Sequence, residues 1–215
     1  MSQAIVDASM TTEERAQLWQ QRLFEAVAGM TNYLAERHAR DTLPAWLGVQ
    51  ADIFRDLPGE GDGDHLAWQR IFFRGQALME RFLVGHFGHA AMQTWALANA
   101  RIYAMIEPDR GCGAADVIDR LRRQLENYDS AIAVLESEPA CATIRISRCG
   151  IWNYRERARK RGIPITLDSP CDYCTKAVAA NIMAKGYAPR HELFSDGEVH
   201  GCQWSALASD LPAHP

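Results

Sequence analysis

The chain reads as an α+β protein: a bundle of about five helices packed on a small C-terminal antiparallel sheet that carries a cysteine cluster. Three observations predict this. Before Pro139 apolar residues recur at spacings of three and four; after it they alternate in short runs; and Cys149, Cys171, Cys174 and Cys202 all fall in that last part. With 215 residues, 47% of them hydrophobic, one full core can be built. A single domain over 1–215 is therefore expected, with a helical part at 1–138 and a cysteine-rich α+β part at 139–215.

Thr11 with Glu14 three residues on has the form of a capping box, and behind it Ala16, Trp19, Leu23, Val27, Met30 and Leu34 mark one helix face. Thr42-Leu43-Pro44 opens a second helix with Trp46, Leu47, Ile53 and Phe54 as its apolar members. Leu57 to Asp64 is a loop rich in glycine and acid; it lacks the glutamate that closes a calcium loop. His65 to Ile106 predicts two helices broken near Gly85 or Gly88. Its most apolar stretch, Phe82 to Ile106, is interrupted by His86, His89, Gln93 and Arg101, so it reads as core and not as a membrane span. His86 and His89 are expected in the core or a ligand pocket, and Trp19, Trp46, Trp68 and Trp95 in the core first and as pocket walls second. After the turn at Pro108–Gly113, Val117, Leu121, Leu125, Tyr128, Ile132 and Leu135 form a buried helical stripe.

From Pro139 the period changes. Ala142, Ile144 and Ile146 alternate with polar residues in a strand ending at Cys149, and a short basic helix follows to Gly162. Ile163 to Leu167 suggests a second strand. Asp168-Ser169-Pro170 caps a helix from Cys171 to Lys185. His191–Phe194 and Val199–Leu207 form a hairpin around Ser195-Asp196-Gly197-Glu198.

The net charge of −4 argues against a nucleic-acid partner, which would require a basic surface. The one basic run, Arg155 to Arg161, reads as a solvated helix face, with a grip on a carboxylate or phosphate as its alternative. Met1 to Met10 lacks the basic flank and apolar core of a secretory signal, so a cytoplasmic location without membrane attachment is expected. In a reducing compartment six cysteines point to metal or redox chemistry and not to a disulfide scaffold.

The sharpest motif is Ser169-Pro170-Cys171-Asp172-Tyr173-Cys174. Proline at a helix start puts both cysteines in the first turn, where free N–H groups and the positive helix end stabilise thiolates and lower their pKa. Cys171 and Cys174 are thus poised as nucleophiles, a redox pair or metal ligands. With Cys149 and Cys202 they make a four-thiolate set for an iron–sulfur cluster first or zinc second. Cys112 and Cys141 look like spectators. His200, two residues before Cys202 and on the same strand face, and Asp172 are the candidate proton carriers.

Ile144-Arg145-Ile146-Ser147-Arg148-Cys149, then Cys171, then Gly197 with Cys202-Gln203-Trp204, resembles the L-2-amino-thiazoline-4-carboxylic acid hydrolase family over roughly residues 140 to 207. Those proteins share a strand ending in cysteine, a C-x-x-D helix start and a closing G…C-x-F. Here Cys174 stands where the family has aspartate, and Trp204 where it has phenylalanine. The layout is also loosely similar to 4-vinyl reductase domains, which bind small hydrophobic ligands and sometimes zinc. The expectation is an enzyme acting on a small nitrogen- or sulfur-containing molecule by hydrolysis or C–S/C–N cleavage. The alternative is a ligand- or redox-sensing protein with a structural or switching four-cysteine site. Substrate and oligomeric state are not legible.

Overall fold

The structure, a computed structural model, describes residues 9–37, 39–59 and 63–208. The first eight residues and the centre of the glycine- and acid-rich loop, 60–62, lie outside the described residues. The first helix, α1 (Thr12–Glu36), starts at the expected capping box, with Glu14 N–H donating to Thr11 Oγ1 at 3.2 Å and Thr11 N–H to Glu14 Oε2 at 2.7 Å. A 3-10 turn, Arg40–Thr42, leads into α2 (Leu43–Ile53). Asp64 opens α3 (His65–Phe87) by accepting from Leu66 N–H at 2.9 Å and Ala67 N–H at 3.2 Å. Gly88, at φ 73°, ends it, as one of the two expected break points. Then come α4 (Ala91–Ile106) and α5 (Ala114–Asn127).

Helix α1 packs against α3 and α4 because its stripe is apolar on one side: Trp19, Leu23, Met30 and Leu34 are all buried. Trp19 anchors an aromatic cluster, with ring centroids 4.9 Å from Phe72, 5.7 Å from Phe73 and 5.0 Å from Tyr128. The expected tryptophans all lie in this core. No helix among the described residues is long and apolar enough to cross a membrane.

The sheet has four antiparallel strands, β1 (Ala131–Ser137), β2 (Cys141–Arg148), β3 (Tyr187–Asp196) and β4 (Val199–Ala208), in the order β1-β2-β4-β3. Between β2 and β3 the chain inserts α6 (Gly150–Lys160) and α7 (Cys171–Ala184). Ile144, Ile146 and Trp204 on one sheet face pack with Val117 and Ile118 of α5 and with Val178 and Ile182 of α7 in a second core. The fold is α+β, with seven α-helices among the described residues.

Three details correct the sequence reading. The stripe after Gly113 does not remain helical: Tyr128 caps α5, Asp129 turns the chain at φ 56°, and Ile132 and Leu135 belong to β1. Ile163 to Leu167 is irregular and not a strand; Pro164 removes a ladder donor from a run of only five residues. Strand β3 begins at Tyr187, four residues before the expected His191.

Candidate thiol site and adjoining cavity

The four cysteines come from three elements that meet. Cys149 is the N-cap of α6, one residue past the end of β2. Its N–H donates to His200 O at 2.8 Å, which ties α6 to β4. Cys171 opens α7, where its own N–H is capped by Ser169 Oγ at 3.0 Å; its sulfur accepts from Trp152 Nε1 at 3.4 Å. Cys174 follows one turn later, its N–H donating to Pro170 O at 3.1 Å. Cys202 lies on β4 opposite Ile146 of β2 and Leu193 of β3. Gly201 allows this close approach, since a Cβ there would fall 2.3 Å from both Ile146 O and the Phe194 ring. All four cysteines line one cavity of about 30 Å³.

Burial dominates the charge state of this cluster. It pushes the Cys149 and Cys174 thiols up, Cys174 furthest, and raises Cys202 to about 12, with neighbouring sulfurs adding to each shift. The thiolate stabilisation expected for Cys174 at the start of α7 is therefore overturned: desolvation outweighs the helix end. These three are neutral thiols at pH 7, and a cation held here would release protons as it bound.

Four sulfurs, one of them accepting from Trp152 Nε1, are a donor set suited to zinc or to an iron–sulfur cluster. Among the described residues, however, no three Cys, His, Asp or Glu side chains stand at ligand spacing for one ion. The thiols share a cavity without being gathered, so a metal would have to draw them in.

A second cavity, of about 170 Å³, lies between the helical bundle and α7. Its apolar lining includes Phe72, Met79 and Trp95, and Trp95 stacks on Tyr173 at 4.6 Å, so this tryptophan is both core and wall. Leu125, Ile151, Pro170 and Cys174 line both cavities. The volume is near the roughly 150 Å³ that accommodates a benzene ring.

Its polar feature is a buried ion-pair network. Arg22, 6% exposed, donates from Nε to Gln124 Oε1 at 3.1 Å and from Nη1 to Glu25 Oε1 at 2.6 Å and Glu107 Oε2 at 3.3 Å. Arg120 completes it, bonding Glu25 and Glu107 at 2.7 Å each. Arg22 Nη2 is left without a partner among the described residues.

The other expected site residues lie elsewhere. His200 is stacked on the face of Trp152, with ring centroids 3.9 Å apart, and lines neither cavity. Asp172 is exposed and caps α7, accepting from Ser169 N–H at 3.4 Å. His86 and His89 are exposed at the end of α3, against the expectation of a core or pocket position; His86 Nδ1 contacts Phe82 O at 2.9 Å. Cys112 is exposed, and Cys141 bonds Glu136 at 3.0 Å, both away from the cluster.

Two contributors were not anticipated. Trp152 sits three residues after Cys149, the helical spacing that puts both on one face. Arg22 is a cation inside an apolar stripe, three residues after Trp19 and one before Leu23; that misfit was its only signal.

Comparison with known proteins gives no matching family model, no matching curated protein and no matching solved structure.

Proposed function

We propose that the protein binds a small single-ring organic molecule in the larger cavity, that the four thiols hold zinc or an iron–sulfur cluster behind it, and that the pair acts as a ligand sensor. One observation carries this reading: Cys174 lines both cavities, so an occupant of the larger one would lie against a thiol of the cluster. Arg22 Nη2 offers a buried donor to an acceptor group on that molecule, and an unpartnered buried donor costs about 1–3 kcal/mol until it is met.

The enzyme reading, hydrolysis or C–S/C–N cleavage of a small nitrogen- or sulfur-containing molecule, draws on the same Cys174 contact and on the resemblance to the thiazoline-carboxylate hydrolases. A metal bound there would supply Lewis-acid polarisation. The reaction also requires a proton carrier at the substrate, and His200 and Asp172 line neither cavity. Tyr128 and Tyr173 do line the larger one, but burial pushes both hydroxyls up, Tyr128 well above its ordinary value, which makes them poor bases at neutral pH. Sensing is therefore the better-supported function.

Anaerobic titration with Co²⁺, read by its visible thiolate absorption, tests both parts. The expected result is saturation at one equivalent and a shift in Co²⁺ affinity when benzoate is present. Uptake no greater than in the Cys149→Ser/Cys202→Ser variant would remove the metal site. An affinity indifferent to benzoate would remove the coupling. Turnover of 2-amino-thiazoline-4-carboxylate by the zinc-loaded protein would replace the sensor with the enzyme.

A further inference from the structure

We propose that a third cavity, bounded by α3, α6 and residues 163–166, is a separate binding site for an organic phosphate monoester. It is the roomiest of the three at about 320 Å³, and no cysteine lines it. Arg70, Arg74 and Arg155 face it together with one carboxylate, Glu80. Three cations stand against one anion in the lining, on a chain whose net charge is −4; Asp64, outside the lining, lies 3.9 Å from Arg70.

The arginines are held but not saturated. Arg155, on α6, pairs with Glu80 Oε1; Glu80 is 1% exposed, so that pairing fixes the guanidinium at the cavity wall. Arg74 donates from Nη2 to the carbonyls of Ile53 and Arg55, and its Nε has no partner among the described residues. Arg70 is mostly exposed and makes a long contact with Asp64, 3.9 Å.

The charge and the walls together select the ligand. A phosphate monoester carries about −1.5 to −2 at pH 7, so it can meet both Arg74 and Arg70, the latter held only loosely by Asp64 at 3.9 Å, and its terminal oxygens suit guanidinium forks. A monocarboxylate has one oxygen fewer to divide between them. The walls ask for an organic body: Tyr154 stacks on Phe73 with centroids 3.5 Å apart, and Ile163, Pro164 and Ile165 close the other side. Inorganic phosphate would leave that apolar surface unused. The irregular run at 163–166, which fails as a strand, thus has a role as a wall. The basic helix resolves likewise, with Arg155 turned inward while Arg157 and Arg159 remain solvated.

Calorimetric titration at low salt with phenyl phosphate, inorganic phosphate and phenol tests the site on the full chain. Phenyl phosphate is expected to bind about tenfold more tightly than either fragment. Arg70→Glu, at an exposed position, and Thr166→Glu, at the opposite wall, should each weaken it about tenfold or more while circular dichroism stays unchanged. Binding that both variants leave intact would place phenyl phosphate elsewhere and overturn the proposal. Affinity no better than that of inorganic phosphate would overturn the organic body, and no heat at millimolar ligand would overturn the site.

Discussion

At Gly29, α1 lies close against α4: a Cβ there would sit 1.7 Å from Asn99 Oδ1 and 2.8 Å from Asn99 Cα. Backbone, and not only a flexible side-chain end, stands in the way. Gly29→Ala should therefore push α4 off α1, break the 2.6 Å bond from Asn99 to the Tyr173 hydroxyl, and cost about 1–3 kcal/mol. Urea denaturation checks it, with Gly85→Ala as the contrast: nothing lies within 4 Å of that Cβ, and helix propensity alone should gain up to about 1 kcal/mol. A Gly29→Ala protein as stable as wild type would mean the two helices are not packed this closely. At this scale the sequence was legible where chemistry and spacing coincide. Cys171 and Cys174 share a helix turn, and Cys149 sits one residue past the end of β2. Arg22 was not, because beyond Glu25 its partners Gln124 and Glu107 lie 102 and 85 residues away.

Among the elements, α6 is docked on α3 by the Tyr154–Phe73 stack and by a buried ion pair, Arg155 with Glu80, whose side chains are 11% and 2% exposed. Burial pushes the Glu80 carboxyl up, opposed by Arg155. Removing the cation strands the acid, so Arg155→Met should cost about 3–5 kcal/mol, whereas Arg155→Met with Glu80→Leu should recover most of it. Thermal melts of the two variants decide; a double variant no better than the single one would show that packing, and not charge, holds α6. Element ends with a chemical marker were readable in advance: Thr11 with Glu14, Pro44, Gly88, Pro170. Strand β1 was not, since Ile132 and Leu135 continue the helical spacing by chance. What separates strand from helix there is the positive φ at Asp129, and aspartate also occurs freely inside helices.

Across the whole molecule, the network of Arg22, Glu25, Glu107 and Arg120 binds α1, the end of α4 and α5 into one unit. Burial alone would raise the Glu107 carboxyl, but Arg22 and Arg120 outweigh it and hold it below 4.5. For Asp119 burial is likewise outweighed, by hydrogen bonds from Arg110 and Arg122 that hold it below 3.8. A carboxyl with a depressed folded pKa adds stability that is complete above its unfolded value and lost as pH falls through the folded one. Urea midpoints should thus decline below about pH 4.5, and Glu107→Gln should flatten the decline while lowering the neutral-pH midpoint. A variant with an unchanged acid limb would locate the loss in other carboxyls. Such long-range pairs are the part of the fold that local pattern cannot reveal.

The strand order carries a consequence for synthesis. Because β4 lies between β2 and β3 yet follows both in the chain, Cys202 reaches Ile146 only after every other described element has been made. Until then Cys149, Cys171 and Cys174 have no fourth wall, and their sulfurs stay open to oxidants and to adventitious metal. The emerging chain thus lacks the β4 side of this cavity until the closing hairpin has been made. β4 completes the enclosure, because Gly201, Cys202 and Trp204 all line that cavity.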